Sequence, residues 1–410
     1  MKFAVNAAGF ATLLFCACSQ SLIPVSEASA QVRTGADLWL ATELGDLAGK
    51  RFGLITNHTG LTRNGESTID VLFRDSRIKL VSLFSPEHGI RGTAEAGEVV
   101  AREIDQKTGL PVHSLYGETF EPTVRMVREP PIDVIAFDIQ DIGTRYYTYV
   151  WTMALALEAA AEYGRTFVVL DRPNPIGGAL VQGNVRDRRT HVGLYPTTMR
   201  HGMTAGEIAK WINEEFQIGA DLRVIKMAGW RRDMWYDETG LKWVPPSPNM
   251  PSLESATHYP GTCLFEGTNL SVGRGTPIAF QQIGAPWLDA KRIADVMNGM
   301  KLPGVRFEAV TFKPVNPGDQ KHAAVAVNGV RWIATDRKVH DPTVAAVHML
   351  VEIRRIHADS LRIGPGIDRL IGDRSARAKI LAGASAAEVM QGWEAQRRDF
   401  MSARAKYLLY

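Results

Sequence analysis

Four short apolar runs in the first half of the chain each break off into polar or charged residues, and this pattern limits the fold more than any other feature. Phe52-Gly53-Leu54-Ile55-Thr56 leads into Asn57 and His58, and Leu80-Val81-Ser82-Leu83-Phe84 leads into Ser85-Pro86-Glu87-His88-Gly89. Val134-Ile135-Ala136-Phe137 leads into Asp138 and Asp141, and Phe167-Val168-Val169-Leu170 into Asp171-Arg172-Pro173-Asn174. Continuous β-rich apolar runs are what strands buried on both faces look like, as in a parallel sheet covered by helices. Ligands of such sheets sit beyond the carboxyl ends of the strands. The four runs therefore predict one polar site on an apolar scaffold.

Helical patterns lie between the runs. Ser67 to Asp75 carries Ile69, Leu72 and Phe73 on one face, and Glu121 to Glu129 has Pro122 in its first turn, where a missing N–H is tolerated. Tyr147 to Tyr163 reads as a longer Ala-rich helix stopped by Gly164. Thr204-Ala205-Gly206-Glu207 forms a capping box opening a helix through Phe216, and Asp221 to Lys226 reads as a further strand. Strand–helix–strand alternation implies an α/β fold with a parallel sheet and right-handed crossovers. The proline-rich stretch Val244 to Pro251 is too rigid for helix or central strand, and reads either as a linker or as a shaped loop at the site. A Gly-rich polar loop runs from Glu266 to Thr276, and a smaller α+β region follows, ending in an amphipathic helix through Trp393 and Phe400 and a docked aromatic tail.

Residues 1–30 read as a secretory signal peptide: Lys2, an apolar stretch from Phe3 to Cys16, and the small-residue cleavage site Ala28-Ser29-Ala30. Export, to the periplasm or beyond, is the expectation; Phe15-Cys16-Ala17 before Cys18 fits a lipoprotein signal poorly. That apolar stretch is too short to span a membrane and no later segment is long enough, so no stable membrane insertion is expected. Cleavage leaves Cys263 as the one cysteine, which reads as a buried packing residue. The formal charge of +3 over 410 residues, without a basic stripe interleaved with aromatics, gives no nucleic-acid surface.

Several chemistries lack their signatures. No G-x-G-x-x-G follows the first strand and no Walker-type Lys-Ser/Thr closes a glycine loop, so no nucleotide cofactor is expected. Neither H-E-x-x-H nor paired cysteines point to a metal, and no G-x-S-x-G elbow points to an esterase. A carboxylate-rich set remains. Glu87 sits between Pro86 and His88-Gly89, which stiffen its turn and can tune its carboxyl, as a general acid requires. Asp138 and Asp141 lie three apart past a strand, with Arg145 four residues on, a spacing that fits either a site or an ion pair capping the next helix. Asp171 to Pro175 reads equally as a rigid strand exit. His201 precedes a helix start, where it serves as a packing group or a ligand. Glu266, Asn269 and Arg274 share the Gly-rich loop, and an arginine there suits a carboxylate ligand.

Together these motifs resemble one family. Leu54 to Gly60, Ser85 to Gly92, Asp138 to Tyr149, Asp171 to Pro175, Pro246 to Pro251, Tyr259 to Thr262 and the Glu266 to Gly275 loop all look like the exo-β-N-acetylmuramidases, and the resemblance runs from about Gly35 to Tyr410. It implies a Rossmann-like catalytic domain over 31–265, a smaller domain over 266–410, and release of N-acetylmuramic acid from the non-reducing end of peptidoglycan fragments. The family's catalytic glutamate falls at Glu87.

Under this reading Glu87, His88, Asp138 and Asp141 are the catalytic candidates. Asn57, His58, Arg91, Arg145, Tyr147, His201, Glu266, Asn269 and Arg274 are the substrate-binding ones. The lactyl carboxylate of muramic acid needs a cation, for which Arg274, Arg145 and Arg91 are candidates. Sugar rings stack on aromatics, and Tyr146, Tyr147, Tyr149 and Trp151 cluster beside the acids. A non-catalytic exported protein that captures muramic-acid-containing wall fragments is the alternative, and an amidase or esterase a weaker third. Retaining, inverting and substrate-assisted hydrolysis all remain open.

Overall fold

The computed structural model describes residues 1, 31–86, 90, 103–115, 131–186 and 189–410. In its N-terminal half the strands are β1 (Arg51–Thr56), β2 (Lys79–Ser85), β3 (Glu103–Ile104), β4 (Pro111–Ser114), β5 (Val134–Asp138), β6 (Thr166–Leu170), β7 (Gln182–Val185), β8 (Thr198–Arg200) and β9 (Leu222–Ile225). Each of the four apolar runs forms a strand within two residues of its expected limits. The main sheet has the order β3-β4-β2-β1-β5-β6-β9. All its pairings are parallel except the short edge pairing of β3 with β4.

That order follows from the chain's path. It builds outward from β1 through β2 to β4, then returns to the other side of β1 as β5 and continues through β6 to β9. This is the doubly wound, Rossmann-like arrangement, and its direction reverses between β1 and β5. The two strands are in register there, Thr56 opposite Asp138. Crevices open at such reversals because the flanking connections leave on opposite faces of the sheet.

The scaffold is dry because the runs are apolar on both faces. Phe52, Leu54, Ile55, Ile135 and Val168 are fully buried. Each such side chain contributes about 1.5–3 kcal/mol when taken out of water. The helix expected from Tyr147 spans Tyr149–Glu162, starting later because Gly143 to Thr148 is spent on a turn. The expected capping box at Thr204 is present, its hydroxyl accepting from the Glu207 amide while the Glu207 carboxylate accepts from the Thr204 amide.

The smaller C-terminal α+β part holds an antiparallel sheet of β10 (Gln282–Ala285), β11 (Val305–Phe312) and β12 (Val327–Ala334), with β12 in the middle. Its core is continuous with that of the main sheet: one buried cluster includes Ile55, Trp151, Phe265, Trp332 and Phe400. Leu253–Thr262 is a helix that sequence reasoning does not give, because Pro260 lies inside it. The missing N–H leaves the carbonyl four residues back without its helical partner, and the helix ends two residues later; Gly261 explains the close packing there. A Cβ on Gly261 would lie 1.9 Å from the Pro342 carbonyl oxygen, so only glycine lets this helix approach the one at Pro342–Ile356.

The tail is docked, as its aromatic residues imply. Leu409 N–H donates to Glu207 at 2.8 Å and the Tyr410 hydroxyl donates to Asp171 at 2.8 Å. Among the described residues no helix is long and apolar enough to cross a membrane.

Candidate active site

Past the ends of β1 and β5 lies a hydrogen-bonded run of side chains. Asn57, two per cent exposed, accepts through Oδ1 from the Thr59 amide at 2.9 Å and the Thr59 hydroxyl at 2.6 Å. The same hydroxyl oxygen accepts from the Gln140 amide at 3.0 Å. Gln140 Nε2 then donates to the carbonyls of Asp141 and Pro173, both at 2.8 Å. This run pairs one end of each amide and leaves the other unpaired: Asn57 Nδ2 and Gln140 Oε1 are buried without a partner.

Asp141 completes the run. Gly143, at φ 81°, turns its amide back to Asp141 Oδ1 at 2.7 Å. A Cβ at Gly143 would also lie 2.2 Å from Asn174 Oδ1, so the turn requires glycine twice over. Asp141 Oδ2 is buried with no partner. Burial pushes the carboxyl up to about 7, against the pull of the Gly143, Ile142 and Val150 amides. A carboxyl poised near neutrality with one unused oxygen is what acid–base work or substrate orientation requires.

Asp138 is different. Its Oδ1 accepts from Arg172 Nε at 2.5 Å, and its Oδ2 accepts from Arg172 Nη2 at 2.8 Å and from the Thr68 hydroxyl. Thr56 donates to its carbonyl at 2.8 Å. The ion pair that sequence spacing suggested is therefore made, but with Arg172 rather than Arg145. Arg145 is fully buried and donates to four carbonyls, those of Asn184, Thr197, Leu370 and Ile371. It ties the turn after Asp141 to the C-terminal part.

Asp171 is an anchor too. It accepts from Thr204 Oγ1 at 2.7 Å, the Gly206 amide at 2.8 Å and the Tyr410 hydroxyl, holding a helix start and the tail together. Burial pushes its carboxyl up to about 6. His201 is buried, its Nδ1 accepting from the Met203 amide at 3.2 Å and its Nε2 without a partner. Burial, then the Arg404 and Arg200 charges, lower its imidazole to about 3, so it is a neutral packing group at physiological pH.

The Gly-rich loop braces itself. Arg274 meets Glu266 through Nη2 at 2.6 Å and lies over the Phe280 ring at 5.2 Å. Asn269 is bonded to Ser360 and Arg362. Cys263 is buried and its thiol raised by that burial, consistent with a packing role. The tyrosines are core rather than an open sugar platform. Tyr147 packs edge-on against Tyr149 and Tyr259, and Tyr149 and Trp151 are each one per cent exposed.

The proline-rich stretch is a shaped loop over the site. His58 Nε2 donates to the Pro245 carbonyl at 2.8 Å, and the Tyr149 hydroxyl donates to the Pro246 carbonyl at 2.6 Å. Glu87, His88 and Arg91, and the helix expected at Glu121 to Glu129, lie outside the described residues. Thr59 and Gln140 are residues of the run that sequence reasoning did not single out; the place of Gln140 between two aspartates past a strand end was the available signal. Among the described residues no group of three or more His, Cys, Asp and Glu side chains could hold a metal ion.

Comparison with known proteins places this architecture. The model for "Exo-beta-N-acetylmuramidase NamZ, N-terminal" matches residues 52–254, and that for its C-terminal part matches 257–410. The chain is 44% identical over 384 residues to the peptidoglycan beta-N-acetylmuramidase NamZ of Bacillus subtilis (strain 168), covering 93% of this chain and 92% of that protein. A crystal structure of a DUF1343 family protein from Bacteroides fragilis NCTC 9343 superposes with a TM-score of 0.85 at 36% identity, covering 93% of this chain and 99% of the other. A second DUF1343 protein from the same organism gives 0.72 at 31% identity, with the same coverage of 93% and 99%.

Proposed function

This chain belongs to the exo-β-N-acetylmuramidase family, and from that premise we propose that it removes N-acetylmuramic acid from the non-reducing end of peptidoglycan fragments. The activity is that of a glycosidase. One observation carries the reading: 44% identity to a peptidoglycan β-N-acetylmuramidase over 93% of the chain. A buried carboxyl with an unused oxygen at the β1–β5 reversal supports it.

Glycoside hydrolysis needs a proton for the leaving oxygen and stabilisation of an oxocarbenium-like centre. Glu87 is the general acid in this proposal, on its place two residues past β2 and its match to the family's glutamate. Asp141 is the second carboxyl. Asp138 is taken up by its buried ion pair with Arg172. The lactyl carboxylate falls to Arg91, because Arg274 is engaged by Glu266 and Arg145 by backbone carbonyls. Export is part of the proposal, resting on the composition of residues 1–30.

The test is incubation of the purified protein with a disaccharide bearing muramic acid at its non-reducing end, with the products followed by NMR. Free N-acetylmuramic acid is the expected product. Tight binding of the disaccharide without its cleavage would instead identify a capture protein.

A further inference from the structure

The site's unused polar atoms form a set. Asp141 Oδ2 and Gln140 Oε1 are acceptors, Asn57 Nδ2 is a donor, and all three are buried without partners. They belong to a single hydrogen-bonded run through Thr59, so they are held by the same scaffold at the same strand reversal. Leaving buried polar atoms unmatched costs about 1–3 kcal/mol each. Such a set is retained where a ligand supplies the complement.

An acetamido group supplies part of it, its one N–H matching one of the two acceptors and its one carbonyl the Asn57 donor. Charge alone would not need this pattern: among these atoms the neutral amides of Asn57 and Gln140 sit beside one carboxyl. The carboxyl is also held in place. Its Oδ1 accepts from the Gly143 amide at 2.7 Å, and the Ile142 and Val150 amides lie close enough to pull on it as well.

We infer that Asp141 Oδ2 accepts the N–H of the sugar's 2-acetamido group and turns its carbonyl oxygen onto the anomeric carbon, so that the substrate supplies its own nucleophile. The inference rests on the glycosidase reading above and deepens it. In the first step a lone pair of the acetamido oxygen forms a bond to C1. The glycosidic C1–O bond breaks and its electron pair leaves with the aglycone oxygen, which takes the proton of the general acid. Positive charge spreads onto the acetamido nitrogen, where the Asp141 carboxylate stabilises the N–H. In the second step water adds to C1, its proton returns to the general acid's carboxylate, and the acetamido group is restored. The configuration at C1 is retained, because it inverts twice.

Two measurements test this. Aryl β-glycosides of muramic acid carrying acetyl, monofluoroacetyl, difluoroacetyl and trifluoroacetyl groups on nitrogen are given to the wild-type protein. Each fluorine weakens the carbonyl oxygen, so kcat/KM is expected to fall progressively along the series. Asp141→Asn, which keeps an acceptor for the Gly143 amide, is expected to lose kcat about 100- to 1000-fold with a much smaller change in KM. Thermal melting accompanies the variant, and the fluorinated series needs no variant at all. Cleavage of the acetyl parent with no dependence on fluorination overturns the inference and leaves the glycosidase reading standing. A folded Asp141→Asn protein with wild-type kcat overturns it too. Failure of the wild type to cleave any member of the series overturns the glycosidase reading itself.

Discussion

Arg172 Nε lies 2.5 Å from Asp138 Oδ1, and neither side chain reaches solvent to more than five per cent. Asp138 sits at the end of β5 and Arg172 just past its neighbour β6, so the pair spans two adjacent strand ends. Arg172 also donates to the Leu61 carbonyl at 2.8 Å, which ties in the connection after β1.

Removing one partner of such a pair strands the other charge in a dry interior. Asp138→Asn is expected to cost about 3–5 kcal/mol of stability, far more than a surface pair would. Urea unfolding of the purified variant measures it. A stable Asp138→Asn protein without activity would instead assign Asp138 to the chemistry.

Stability should depend on pH through His201. Its folded pKa, about 3, lies below the ordinary 6.5. As pH falls below 6.5 the unfolded chain takes up a proton that the folded imidazole refuses, so stability present above 6.5 is lost on acidification. The slope is at most about 1.4 kcal/mol per pH unit. Arg404 and Arg200 face the ring, and the Met203 amide holds Nδ1. Asp141 and Asp171, raised to about 7 and about 6, act in the opposite sense between their ordinary range and those values. They are common to wild type and variant, so the difference between the two curves isolates the histidine. His201→Asn should flatten the acid side of the stability–pH curve measured by denaturant unfolding. An unchanged slope would show that His201 charges freely in the folded protein.

Much of this was legible in the chain because strand burial writes itself as apolar composition. The runs ending at Thr56, Phe84, Phe137 and Leu170 gave the strands, and with them the edge on which polar groups gather. What the sequence could not separate was aspartates of the same local type. Asp138 and Asp141 are three residues apart in one motif, yet one is saturated by Arg172 and the other keeps a bare oxygen. That difference is set by residues distant in the chain. Arg274 differs in that its partner is local: its loop spacing suited a ligand, but its charge is taken by Glu266, eight residues away in the same loop. The helix at Leu253–Thr262 was hidden by Pro260, and β7 and β8 by their lack of apolar alternation.

Glu87 is expected to be indispensable for turnover and not for folding. General acid catalysis contributes about a hundred- to ten-thousand-fold, and Glu87→Gln removes the proton while keeping size and polarity. The variant should melt as the wild type does and lose kcat by that factor. Normal turnover by a folded Glu87→Gln protein would take this residue out of the mechanism.

Selectivity for muramic acid over N-acetylglucosamine rests on the lactyl carboxylate, and the arginine that meets it can be identified by substitution. Arg274 is part-buried and bound by Glu266 at 2.6 Å, with its guanidinium over the Phe280 ring. Arg274→Ala should therefore strand Glu266, lower the melting temperature and reduce kcat/KM on both sugars by a similar factor. Arg91→Ala should instead raise KM for the muramic substrate alone and narrow the gap between the two sugars. A site built for a carboxylate rejects the analogue lacking it, because its cation is left desolvated and unpaired. A charge-assisted pair contributes about 1.5–3 kcal/mol, which sets the expected narrowing at roughly ten- to a hundredfold. Kinetics on both glycosides together with melting curves separate the two roles. A stably folded Arg274→Ala protein that loses discrimination, beside an Arg91→Ala protein that keeps it, would return the carboxylate to the Gly-rich loop.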